Sequence, residues 1–142
     1  MFFFTKDEER RVVAAIAEAE RGSIGEVRVH LAERATADIF RAARTVFFEL
    51  GMHKTEDRCG VLVFIVPTER RFYVLGDKGI HAVVPKGFWD EVRNVMQDGF
   101  RRGNAAEGIA DGLGIISRYF KSHFPLGDRP AKNELPDDIS YG

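Results

Sequence analysis

The sequence is short of several things, and each shortage removes a class of protein. A single cysteine, Cys59, among 142 residues excludes an internal disulfide and any multi-cysteine zinc cluster, and it suits a reducing compartment. No run of about 18 apolar residues occurs, so no membrane span is expected. The opening "MFFFTKDEERR" has an apolar stretch too short for a signal peptide, with charges following at once. The chain therefore reads as cytoplasmic. Charge of one sign is also missing: 21 basic against 22 acidic side chains leave a net charge of -1. The pairs Arg10-Arg11, Arg70-Arg71 and Arg101-Arg102 each lie beside acids, glycine or a turn, so the basic footprint of a nucleic-acid or membrane-surface binder is lacking. P-loop, Gly-x-Ser-x-Gly and His-Glu-x-x-His patterns are absent too.

What is present is one domain's worth of chain with ordinary globular composition, 44% hydrophobic and 30% charged, enough to bury a core. Thr5 and Glu8 form a capping box that opens a helix running to about Arg21, with Val12, Val13, Ile16 and Ala19 as its apolar stripe. "EVRVHLA" alternates. It predicts a half-buried strand with Val27, Val29 and Leu31 on one face and Glu26, Arg28 and His30 on the other. A helix is expected from Asp38 to Leu50, ended by Gly51. "VLVFIV" predicts a central strand covered on both faces, and "PTER" turns the chain back into "RFYVL" as a hairpin.

The rest reads as helical. "GFWDEVRNVMQDGF" carries an apolar stripe through Phe88, Val92, Val95, Met96 and Phe100. Asn104 and Glu107 predict a second capping box, opening a helix with Ile109, Leu113, Ile116 and Phe120 on its buried side. Gly108 and Gly112 lie one turn apart at a cost of roughly 1 kcal/mol each in helix propensity, which argues for a close approach to the sheet or to a neighbour. Residues 1–124 are thus the expected domain, and 125–142, proline-rich and charged, a disordered tail.

The order helix, strand, helix, strand, strand, helix, helix specifies an α/β sandwich whose first two strands are a parallel βαβ unit and whose third is antiparallel. In that topology the third strand ends where the first two begin. "GDKGIH" therefore emerges at the same sheet edge as Glu26, Glu56, Asp57 and Arg58. The same six residues are also consistent with a plain connection, because Gly76 and Gly79 permit positive φ and Asp77 can form an Asx-turn. His30 and His53 lack a second histidine at metal spacing and read as surface or loop residues. Cys59 reads as packing at a strand entrance, and Phe88 and Trp89 as core.

The segments "GEVRVHL", "GMHKTEDRCGVLVFIV", "RFYVLGDKGIH", "GFWDEV" and "FRRGNAAEGI" are similar in order and spacing to the TPM domain family, over about residues 2 to 124. The phrases "GMHKT" and "GDKGIH" resemble its short, soluble bacterial branch. The resemblance implies a Rossmann-like αβα sandwich, acid phosphatase activity in plant members, and divalent cation binding by loops in some bacterial ones. Against the plant pattern, His81 stands where the loop after the third strand carries glutamate. Arg58-Cys59-Gly60 replaces Asp-Asn-Gly, with Asp57 displaced by one position.

The expected metal set is Glu26, Asp57 and Asp77, for calcium or magnesium. Arg58, Lys78 and His81 would meet a phosphate or other anion. The expectation is a non-enzymatic regulatory or interaction domain with a protein partner. The second reading is a metal-assisted phosphatase using the same residues.

Overall fold

The computed structural model describes residues 3–35, 37–128 and 136–142. The capping box forms as read: Glu8 N–H donates to Thr5 Oγ1 at 3.1 Å, and Thr5 N–H donates to Glu8 Oε1 at 2.8 Å. It opens helix α1, Lys6–Glu20. Strand β1 (Glu26–Leu31) follows, then α2 (Ile39–Glu49), capped by Asp38 and closed by Gly51 in a left-handed conformation at φ 71°. Two short 3-10 turns, Met52–Lys54 and Glu56–Arg58, lead into β2 (Gly60–Val66). A turn at Pro67–Glu69 with Arg70 left-handed reverses the chain into β3 (Arg71–Gly76). Helices α3 (Lys78–Val83), α4 (Phe88–Arg101) and α5 (Ala105–His123) come next, and strand β4 is Ser140–Tyr141.

The sheet order is β3-β2-β1-β4. β1 runs parallel to β2, with Glu26 opposite Gly60, and β3 is antiparallel, with Val61 opposite Gly76. This is the mixed sheet of the α/β expectation. One face, bearing Val27, Val29, Val61, Val63 and Val74, packs into a core with residues of α1, α4 and α5 such as Ile16, Met96 and Ile116. The other face, bearing Leu62, Phe64 and Val66, packs against Ala43 and Phe47 of α2 and against Met52. β2 is buried throughout, as its uninterrupted apolar run requires.

The fold departs from the sequence reading in four places. β1 is buried at all six positions, not on one face, because residues near the C-terminus lie against its polar side: Gly142 approaches the His30 ring, and Asp137 and Asp138 act on Arg28. His30 is accordingly interior, 5% exposed, stacked on Phe64 with centroids 5.7 Å apart.

The tail expected to be disordered from residue 125 is ordered where it is described. Leu126 N–H donates to Gly22 O, Ile139 is buried, and β4 pairs parallel with β1, His30 opposite Ser140. The open edge of β1 and one apolar anchor outweigh the composition there; residues 129–135 of that tail lie outside the described residues. The capping box at Asn104 does not form, since Glu107 is drawn to Arg11, whose Nε and Nη2 donate to it at 2.8 and 3.0 Å. Finally, a short helix that was not expected, α3, begins within "GDKGIH", where Gly76 ends β3 and Asp77 N-caps it.

Gly108 and Gly112 do admit a close neighbour. A Cβ on Gly108 would lie 2.8 Å from Gly99 Cα of α4, and one on Gly112 would lie 2.5 Å from Met96 Cε.

Candidate functional site

The register puts Glu26, Gly60 and Gly76 at one end of the sheet, so the turn at 56–58 and the start of α3 meet there as the topology predicts. At their junction Arg58 Nε donates to Asp77 Oδ2 at 2.6 Å, and Nη2 donates to Oδ1 at 2.9 Å. Asp77 is 7% exposed, and its Oδ1 also accepts the Lys78 backbone N–H at 2.8 Å. A fork-to-fork pair of this kind fixes orientation as well as charge, and it raises the pKa of Arg58.

Below this pair the backbone is held in an unusual state. Asp57 and Arg58 are consecutive non-glycine residues at φ 59° and 53°, the left-handed region that costs about 1 kcal/mol or more for each such residue. Gly79 makes the arrangement possible, because a Cβ there would lie 2.6 Å from the Arg58 carbonyl oxygen. Cys59, buried beside the turn, directs its thiol to the carbonyls of Ile24 (3.3 Å) and Glu56 (3.1 Å), which is the strand-entrance packing expected of it.

The sequence-predicted residues are thus only partly brought together. Arg58 and Asp77 touch, while Asp57 and Lys78 flank them, exposed. Glu26 is buried, 2% exposed, and acts on Glu20. Among the described residues no three His, Cys, Asp or Glu side chains stand where they could hold a metal ion. His81 is exposed, and its Nδ1 accepts the Trp89 indole N–H at 3.0 Å. It lines a cavity of about 270 Å³ along β3, together with Trp89 and Phe40. Trp89 is therefore half-buried and sits on Gly76, where a side chain would collide with it.

Sequence reading missed a second polar cluster, at β1. Glu20 Oε2 accepts the Val27 N–H at 2.9 Å. Burial, then a hydrogen bond with Asp137, pushes its pKa up to about 9. His30 Nδ1 lies 2.7 Å from Ser140 Oγ, and burial lowers its pKa. No local signal marks this cluster, because its members come from the two ends of the chain.

Among the described residues, four helices (α1, α3, α4 and α5) on one face of a four-stranded mixed sheet and one (α2) on the other define an αβα sandwich, with a clamped turn at the edge where β1 and β2 begin. Residues 2–119 match the model of the TPM domain, and the chain belongs to that family. It is 38% identical to the BA42 protein of the psychrophilic bacterium Bizionia argentinensis, a solved structure matched over 99% of this chain and 97% of that one, with a TM-score of 0.89; this places it with the short bacterial members. The N-terminal domain of a P. gingivalis protein (18% identity, 85% of this chain and 78% of that one, TM-score 0.69) shares the fold. So does the N-terminal domain of cg2496 from Corynebacterium glutamicum (11%, 94% and 84%, TM-score 0.67). Comparison with curated proteins returns no match. Among the described residues no helix is long and apolar enough to cross a membrane.

Proposed function

We propose that the chain is a regulatory or interaction domain of the TPM type, working by binding rather than turnover, and that residues 56–58 and 76–79 take a divalent cation, calcium or magnesium. The observation that carries this reading is the pair of consecutive left-handed residues, Asp57 and Arg58. Strain of this kind persists only where surrounding structure holds it, and it concentrates at ligand clamps and switch regions. Here the holding is done by the Arg58–Asp77 fork and by the missing side chain of Gly79. Calcium takes six to eight oxygens, backbone carbonyls included, so the turn would contribute main-chain oxygens beside the exposed Asp57 carboxylate. Asp77, already engaged by Arg58, would join by exchanging that partner for the ion.

The test is an amide chemical-shift titration of the metal-free protein with Ca²⁺, Mg²⁺, Zn²⁺ and phosphate in turn. Calcium or magnesium at micromolar to millimolar concentration should move Asp57 and residues 76–79 together. Shifts confined to the acidic residues after 128 would overturn the site. A metal-dependent hydrolysis of an aryl phosphate, abolished by Asp77→Asn in a protein that stays folded, would replace binding by phosphatase chemistry.

A further inference from the structure

We propose that the open edge of β3, with the arginine-lined groove beside it, docks an extended acidic segment of a partner protein, which joins the sheet as a fifth strand. β3 is the outer strand of the sheet. Among the described residues the backbone groups of 72 to 76 bond only to β2, so every second N–H and C=O faces outward, the template on which strand addition works.

Natural edge strands are usually blunted, yet here the flank is hollowed. Every residue of β3 lines one of two adjoining cavities, of about 270 and 970 Å³, which share Arg93 of α4. The trough runs along the strand between α4 and the first turn of α2. Its walls carry Phe40, Trp89 and Phe100, suited to the alternating apolar side chains of an added strand.

Charge decides the occupant. The larger cavity is lined by Arg70, Arg71, Arg93 and Arg101 against the single carboxylate of Glu8. Arg71 is paired with Glu69 and Arg93 with Asp90. Arg70 and Arg101 are exposed and enter no ion pair among the described residues. These two uncompensated guanidiniums at one edge favour carboxylates on the incoming strand and disfavour a second copy of this chain, which would bring the same arginines face to face.

The proposal gives the interaction reading a partner chemistry, at a surface apart from the 56–58 turn. A failed cation titration therefore leaves it standing, and a failed peptide titration leaves the cation site standing.

The experiment uses four synthetic peptides of about eight residues: one alternating Glu with Val and Phe, one with Lys in place of Glu, and two versions of the acidic one N-methylated at alternate residues, one in each phase. The acidic peptide should shift the amides of residues 71–75 and bind at least about tenfold more tightly than the lysine peptide, with the difference shrinking as salt rises. Arg70→Glu combined with Arg101→Glu, both exposed, should weaken it by about tenfold or more, with the unliganded amide spectrum otherwise preserved. N-methylation in at least one phase should abolish binding, because it removes the ladder hydrogen bonds and keeps the charge. Binding that survives both phases, equal affinity for the lysine peptide, or shifts centred on Asp57 in place of β3 would each overturn the proposal. So would β3 shifts that depend on protein concentration without peptide, since the occupant would then be a second copy.

Discussion

Glu20, at the last residue of α1, holds the Val27 N–H and faces Asp137, with a pKa pushed up to about 9 from an ordinary 4.5. The folded chain therefore binds this proton more tightly than the unfolded one between those two values. The stability tied to it is complete below about pH 4.5 and is lost as pH rises toward 9. Glu20→Gln keeps an acceptor for Val27 and a donor for Asp137 while removing the titration. Urea unfolding followed from about pH 5 to about pH 8 should fall by about 1–2 kcal/mol in the parent, after discount for partial solvation, and by much less in the variant. Equal slopes would show that Glu20 is ionised in the native state. Asp77 is buried against a guanidinium. Its meeting with Arg58 was legible because strand polarity alone puts both at one edge. Glu20 and Asp137 were not legible, since neither alternation nor a motif joins residues so far apart.

Among the elements, α1, α2, α4 and α5 were read from caps and stripes while the six-residue α3 was too short to show a stripe, and a predicted cap fails where its side chain has a better partner elsewhere. Thr5 and Glu8 have none and close their box. Glu107 has Arg11. The half-buried reading of β1 failed for a different reason: alternation reports polarity, and Arg28 and His30 are polar yet buried beneath residues that follow α5. A close approach by α5 was legible from its glycines, the partner α4 was not, and the contact yields a paired prediction. In Gly108→Ala the new methyl would lie 2.8 Å from Gly99 Cα and 2.9 Å from the Met96 carbonyl oxygen. Both are backbone atoms, so the helices must part, and the loss should be about 2 kcal/mol despite the gain in helix propensity. Gly114→Ala, in the same helix, meets nothing within 4 Å and should stabilise by up to about 1 kcal/mol. Chemical denaturation of the two variants checks the pair; the same sign for both would mean that packing does not govern the contact.

For the molecule as a whole, the sheet order of β1, β2 and β3 followed from loop lengths and hydrophobic runs, and the side of the sheet each helix covers followed from tertiary packing alone. The fourth strand was invisible: two residues, Ser140 and Tyr141, after a proline-rich stretch carry no periodicity. Its partner lies at the other end of the chain, since the His30–Ser140 contact spans 110 positions. That separation has a kinetic meaning. Closing so long a loop costs entropy that two paired residues cannot offset on their own, so β4 should dock only after β1, β2 and the helices have condensed. Ile139→Ala, which removes the buried anchor beside β4, should then raise the unfolding rate about tenfold or more and leave the refolding rate within about twofold of the parent. Stopped-flow rates in both directions distinguish this from the alternative, in which slowed refolding would put the C-terminal strand in the folding nucleus. A late-docking strand is also the first to leave, so transient opening should expose the outer edge of β1 to solvent exchange long before the domain unfolds.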